Sequence, residues 1–360
     1  MPVPQSFKAA VVHQPKVQNV VPERSLGHLE SGEVGIKITA TAVNPVDWKM
    51  RDYDAFISEY PAILGSDAAG VIASIELDVS GFAVGDRVFF QGIIGKYGSS
   101  TFQQFCKMPA VLVSKTPSNI SDEQAACISL TTMAAVTAFY GNDGYGLAPP
   151  RDKEGEKAGK GKAIVVIGGA SSVGQYAIQL ARLSGFERII TNASPTNQEF
   201  FKGFGAHIVP DRTRPSPEDF KAVIGEFPLE LVFDAISAKA TKALAVQIVQ
   251  AAKTATNQVV TLHAVHSEVI DPDTAALSRS KEPDVGMKQV LSIGSTPALR
   301  HLSEPMAKNL RGENGYIAKG LLTPNRLHVV SGGLVAVEEA LALNKKGVSG
   351  VKVIFRPFDV

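Results

Sequence analysis

The chain has 360 residues, 44% of them hydrophobic and 20% charged, with a formal net charge of +1. This is the composition of an ordinary globular protein long enough for two domains, and so small a net charge gives no electrostatic basis for binding nucleic acid or a membrane surface. No apolar run reaches the roughly 18 residues of a spanning helix, residues 1–8 lack a signal-peptide core, and the two cysteines, Cys106 and Cys127, are too few for a disulfide framework. A cytoplasmic location and a monomer or homodimer are expected.

Residues 8–13 and 35–42 read as strands. In the second, Ile36, Ile38 and Ala40 alternate with Lys37, Thr39 and Thr41, so one face is wet. Next comes Asn44-Pro45-Val46-Asp47-Trp48-Lys49, where Pro45 forces Asn44 extended and starts a turn. The segment 60–72 is dense in Gly and Ala, as where backbones approach closely. Residues 81–89 and 110–115 add a turn and two more strands, so the chain up to Ser118 reads as all-β.

The pattern then changes. Ser121 reads as a helix N-cap with Asp122 and Glu123 in the first turn, and helical periodicity runs over 125–140 with a break near Thr131-Thr132. Residues 149–162 form a charged, Gly-rich stretch expected to be an exposed loop. Strands and helices alternate from 162 to 296: strands at 161–167, 188–193, 229–236, 258–264 and 285–293, and a helix at 175–184. A helical stretch over 297–322, a strand at 327–330, a helix at 334–345 and a final strand at 350–356 complete the chain.

The chemistry centres on the run from Val165 through Gly168, Gly169, Ala170, Ser171, Ser172, Val173 and Gly174 to Ala177. A buried strand turns sharply into a helix there. Backbone N–H groups at a helix N-terminus are unpaired and the helix dipole favours negative charge, so a pyrophosphate fits where no side chain blocks it. Gly169, Ser171 and Gly174 keep the spacing of the dinucleotide fingerprint, with Ser in place of the middle glycine. An NAD site would place an acid at the end of the next strand, for the ribose 2′-hydroxyl. Here that end reads Ala193-Ser194-Pro195-Thr196-Asn197, so nothing repels a 2′-phosphate. NADPH is the expected cofactor, with Ser194 and Asn197 bonding the phosphate and Lys202 as its charge partner. The competing reading is that these are ordinary turn residues.

The order of Asn44-Pro45-Val46-Asp47-Trp48-Lys49, Gly65-Ser66-Asp67-Ala68-Ala69-Gly70, Gly85-Asp86-Arg87-Val88, residues 168–174 and Ser349-Gly350-Val351-Lys352-Val353 resembles the medium-chain dehydrogenase/reductase superfamily over nearly the whole chain. Within it the sequence is similar to the zinc-independent quinone and enoyl reductases, and most of all to fungal trans-acting enoyl reductases. The resemblance implies an α/β fold in which a GroES-like, β-rich catalytic domain formed by both termini (1–128 and 304–360) carries an inserted Rossmann domain, a doubly wound parallel sheet, over 129–303.

The resemblance also implies site residues. Lys49 and Thr137 would lie near the nicotinamide ribose and the acyl group, and Tyr53 falls in the loop that holds a catalytic tyrosine in related enzymes. Cofactor contacts are expected from Asn44, Pro45, Lys49, Gly169, Ser171, Ser172, Val173, Gly174, Ser194, Asn197, Ala235, His263 and Lys352. Against these roles, Lys49 could be a surface lysine and Thr137 a helix hydroxyl bonded to its own backbone. Asp47 and Asp67 read as acceptors that pin loops.

No metal is expected. Zinc members have Cys where this chain has Asn44 and His-Glu where it has Ser66-Asp67, and Cys106 and Cys127 have no His at ligand spacing. His263 and His266, after a predicted strand, read as cofactor neighbours rather than a metal pair. Without a Lewis acid, alcohol oxidation is hard, whereas hydride addition to an activated C=C bond needs only donors for the enolate oxygen and an acid for the α carbon. The expected partner is a small unsaturated carbonyl, free or carrier-bound, with quinone reduction and cofactor binding without turnover as alternatives. Its pocket would be lined by loops around Tyr53, 93–100 and 272–283.

Overall fold

The computed structural model describes residues 3–207, 216–252, 254, 256–263, 270–282 and 284–360. The chain opens with β1 (Phe7–Lys8), β2 (Val11–Val12), β3 (Glu23–Arg24), β4 (Glu33–Ala42), α1 (Pro45–Tyr53), β5 (Ala62–Ile63), β6 (Asp67–Ile75), β7 (Arg87–Gln91), β8 (Phe105–Pro109) and β9 (Val113–Lys115). The middle holds α2 (Asp122–Ala125), α3 (Ser129–Tyr140), β10 (Ala163–Ile167), α4 (Ser172–Leu183), β11 (Arg188–Thr191), α5 (Gln198–Gly203), α6 (Pro217–Ile224) and β12 (Leu229–Asp234). Then follow α7 (Lys239–Ala251), β13 (Gln258–Leu262), α8 (Pro272–Ser278), β14 (Gly286–Val290), α9 (Arg300–Leu310), β15 (Arg326–Val330), α10 (Val337–Lys346) and β16 (Val351–Phe355). No helix among the described residues is long and apolar enough to cross a membrane.

The chain forms two compact units, Met1–Leu130 with Ile293–Val360, and Thr131–Ser292. The return to the first unit comes at Ile293, earlier than the 303/304 expected, because α9 packs on β9 and the short helix before it.

In the first unit a seven-stranded sheet runs β15-β16-β4-β6-β7-β9, and β8 also pairs with β4. The alternation of β4 puts Val34, Ile36 and Ile38 into a core with Ile72, Val88, Phe90, Cys106 and Met108. A second core gathers Met50 of α1, Leu341 of α10, Phe102, Val353 and Phe355. The Gly/Ala-dense segment fits its reason: a Cβ on Gly70 would lie 2.1 Å from the Lys37 carbonyl oxygen of the neighbouring strand. The carboxyl-terminal strand joins the amino-terminal sheet through Ile354 opposite Ala42 and the Val43 N–H, 2.9 Å from the Val353 oxygen.

The second unit holds five parallel strands in the order β11-β10-β12-β13-β14. Every residue of β10 is fully buried, so both faces of the sheet are covered there, as its unbroken apolar run requires. The chain steps to one side of β10 with β11 and to the other with β12. The carboxyl ends of β10 and β12 therefore flank a topological switch point, the place where open α/β sheets bind ligands.

Several expectations change locally. The Asn44-Pro45 turn opens a helix, because Pro45 occupies its first position and the Asp47 carboxylate accepts the Asn44 N–H at 2.7 Å. The break between α2 and α3 falls at 126–128, before Thr131-Thr132. Residues 149–162 are not wholly exposed: Gly155 is buried, and a Cβ there would meet the Pro149 oxygen at 1.8 Å. The stretch 297–322 is helical mainly over α9, and 272–283 contains α8, capped by Asp271, whose carboxylate accepts the Thr274 N–H. Pro283 and His266 lie outside the described residues.

Candidate functional site

The β10–α4 turn leads into the N-terminus of α4, where the first N–H groups have no acceptor within the helix. Ser171 is the N-cap of α4, and its Oγ accepts the Gly174 N–H at 3.0 Å. This explains the serine at the middle position of the fingerprint. It also engages the N–H of Gly174, one of the expected contacts, and the glycine's lack of a side chain serves packing. A Cβ on Gly174 would lie 2.3 Å from the Gly168 oxygen. Ser172 and Val173 follow as the first helical residues, whose N–H groups have no acceptor within the helix.

Two residues that sequence reasoning passed over hold this turn. The Gly168 N–H donates to Asn192 Oδ1 at 2.8 Å, and the Gly169 N–H to Thr191 Oγ1 at 3.0 Å. Thr191 in turn donates to the Val166 carbonyl at 2.5 Å. The available signal was the polar pair Thr191-Asn192 directly after the buried apolar Ile189-Ile190.

The neighbouring strand ends frame the same place. After β11, Asn197 Nδ2 donates to Ser194 Oγ at 3.2 Å, and Ser194 Oγ is 3.0 Å from Thr196 Oγ1. No carboxylate occurs over 192–198. Lys202, expected as a phosphate partner, is engaged by Glu199 at 2.7 Å. After β12, Ala235 is buried and its N–H is taken by the Ile167 oxygen at 3.1 Å, so the next residue faces outward instead. Ile236 is 47% exposed and lies over the turn, 2.4 Å from where a Gly168 Cβ would be. Asp234, buried, shapes this bend by accepting the Ile236 and Ser237 N–H groups at 3.0 and 3.1 Å and the Thr241 hydroxyl at 2.7 Å. Ser237 takes a left-handed φ of 63° there, and its Oγ reaches Thr261 at 2.6 Å. Burial pushes the Asp234 carboxyl above its ordinary range. His263 is exposed after β13, its N–H donating to the Val290 oxygen at 2.9 Å. Thr137, on α3, is 2% exposed and its hydroxyl donates to the Met133 carbonyl at 2.9 Å. That is the self-bonded arrangement of a helix hydroxyl.

The first unit holds a buried polar cluster. Lys352, on β16, is 3% exposed; its Nζ donates to Asn44 Oδ1 and stands 3.8 Å from Asp67 Oδ2. Asn44 Nδ2 approaches Asp67 Oδ2 at 3.5 Å. Asp47 and Asp67 are both 0% exposed. Ser66 donates to Asp47 Oδ1 at 3.0 Å, and the Leu130 N–H to Asp67 Oδ1 at 3.1 Å. Burial pushes both carboxyls up to about 7, against the pull of Lys352 and the hydrogen bonds. The two aspartates are therefore the pinning acceptors expected. The polar atoms of Asn44 and Lys352, both expected as cofactor contacts, face this buried cluster.

Lys49 and Tyr53 sit beside it on α1, in a helix rather than a loop. Lys49 is half-buried, which holds its ammonium below the ordinary value, and its Nζ lies 5.5 Å from the Trp48 ring centroid. Tyr53 is 45% exposed and meets Trp48 edge-on at 6.0 Å. Pro45, at the helix start, is exposed. Among the described residues no three His, Cys, Asp or Glu side chains gather as a metal site would need, and Cys106 and Cys127 are buried.

Residues 30–118 match the alcohol dehydrogenase GroES-like domain. A trans-enoyl reductase of Aspergillus japonicus (himH) is 31% identical over 334 residues, 89% of each chain. A zinc-type alcohol dehydrogenase-like protein of Staphylococcus epidermidis is 32% identical over 194 residues, 54% of each chain. The crystal structure of the CurK enoyl reductase shares the fold, with a TM-score of 0.73 at 19% identity over 98% of this chain and 99% of that one.

Proposed function

Because the chain belongs to the medium-chain dehydrogenase/reductase superfamily, we propose that it is an NADPH-dependent, zinc-independent oxidoreductase that reduces the C=C bond of an α,β-unsaturated carbonyl, an enoyl thioester or an enal. The observation that carries this reading is the buried cluster. Asn44, Ser66 and Asp67 stand where zinc members place ligands, yet here they are engaged by Lys352 and Asp47. An amide, a hydroxyl and one carboxylate beside a fixed ammonium do not fit a catalytic zinc. A substrate that reacts without a Lewis acid suits such a site, and a conjugated C=C bond is one. The likeness to a trans-enoyl reductase over 89% of the chain favours the same substrate class.

The residues present fit the cofactor. Ser172 and Val173 would hold the pyrophosphate with their N–H groups, the glycine turn keeps side chains out of its way, and Ser194 and Asn197 would meet the 2′-phosphate with no acid to repel it. When bound, NADPH supplies the hydride. Lys49 would stabilise the charge that gathers on the carbonyl oxygen, an effect larger in a partly dry site than in water. Tyr53 would give the proton to the α carbon.

The test is oxidation of NADPH and of NADH by exhaustively chelated protein, against enals, enoyl thioesters and quinones. We expect turnover of the first two classes and at least about tenfold tighter binding of NADPH, roughly 1.4 kcal/mol. Stoichiometric zinc with activity lost on chelation would overturn the metal-free reading. Turnover of quinones alone would overturn the substrate class.

A further inference from the structure

We propose that Lys352 is a positioning residue, whose buried ammonium grips Asn44 and Asp67 and so fixes the first turn of α1, the helix that presents Lys49. Its effect on turnover rests on the function proposed above; its effect on α1 does not.

The geometry runs through named contacts. The pairing of β16 with β4 sets Val353 against Val43, and so brings Lys352 beside Asn44, the residue that enters α1. The ammonium donates to Asn44 Oδ1, and the same amide reaches Asp67 at 3.5 Å. With its side chain held there, Asn44 offers its N–H to Asp47 Oδ2 at 2.7 Å, which closes the first turn of α1. Asp47 is braced from the far side by Ser66 at 3.0 Å. Asp67 also receives the Leu130 N–H at 3.1 Å, so the same ammonium backs the first turn of α3.

A plain stabilising role competes with this. Two carboxylates with no exposed surface need a counter-charge, and Lys352 supplies one whether or not α1 depends on it. Removing both charges separates the two. Lys352→Met alone leaves Asp67 without its cation. Lys352→Met with Asp67→Asn removes both charges and keeps an acceptor for Leu130. Lys352→Arg keeps the cation. Trp48 is the sole tryptophan and lies on α1 next to Lys49, so its fluorescence reports the helix without any substrate.

For the double variant we expect melting within about 5 °C of the parent, acrylamide quenching of Trp48 raised about twofold or more, and kcat lowered about tenfold with NADPH affinity within about twofold. Lys352→Arg should recover most of both signals. A double variant with parental quenching and parental kcat would sink the proposal and leave Lys352 a neutralising charge. If the parent turns over none of the substrates, the proposed function fails, and Trp48 quenching alone decides the positioning role.

Discussion

Lys49 has two physical uses that its surroundings allow. Its Nζ lies over Trp48 at 5.5 Å, and Lys345 lies over the same ring at 5.4 Å. A cation at such a distance contributes about 0.5–1 kcal/mol to stability when exposed. A cation that meets developing charge is worth more, about 10² in rate for a single donor. Lys49→Met separates the uses, because it keeps the apolar stem on the ring and removes only the charge. If Lys49 acts in the transition state, kcat/KM for an enal falls by about 10² or more while urea stability changes by under about 1 kcal/mol. Turnover within about twofold of the parent would leave Lys49 a ring contact alone.

At the scale of elements, the β10–α4 turn depends on backbone approaching backbone. A Cβ on Gly174 would meet the Gly168 oxygen at 2.3 Å and the Gly169 Cα at 2.7 Å, atoms that no side-chain rotation can move. Gly174→Ala should therefore cost about 1–3 kcal/mol, as overpacking does, and weaken NADPH by about tenfold or more in a fluorescence titration. Gly203→Ala is the control, since nothing lies within 4 Å of a Cβ there. A Gly174→Ala protein with parental affinity and melting temperature would refute this account of the turn. The turn was legible in the sequence because strand, glycines and helix are contiguous. The helix α1 was not, although its signal was there: Asn44, Pro45 and Asp47 are an entry residue, a first-position proline and an acid in the first turn. Its polar content hid the apolar periodicity, and the resemblance drew attention to Lys49 as part of a loop. The Lys352 cluster was not readable at all. Its members come from the entry and first turn of α1, the start of β6 and β16, and the pairings of Ile354 with Ala42 and of Ala68 with Thr41 bring them together.

Across the whole chain, charge is nearly balanced, with a net +1, but the balance is not local. The first unit buries the carboxyls of Asp47 and Asp67 around the ammonium of Lys352, with the Cys127 thiol also within electrostatic range of Lys352 and Asp67. Burial raises both carboxyls to about 7, so the folded chain holds their protons more tightly than the unfolded chain does. The sign follows from linkage. The stability that these protons contribute is fully present below the unfolded carboxylate range, near pH 4, and is lost as pH rises through about 7. Across that window each carboxyl can lower stability by up to about 1.4 kcal/mol per pH unit. Carboxylates paired at the surface, such as Asp52 and Asp86, are held below their ordinary values and act in the opposite sense at lower pH. A difference measurement removes them. Urea unfolding followed at Trp48 reports the first unit, and comparing the parent with Asp67→Asn between pH 5.5 and 8 isolates one carboxyl. The parent should lose more stability than the variant as pH rises. Parallel pH curves for the two proteins would show that Asp67 stays ionised in the fold throughout this range.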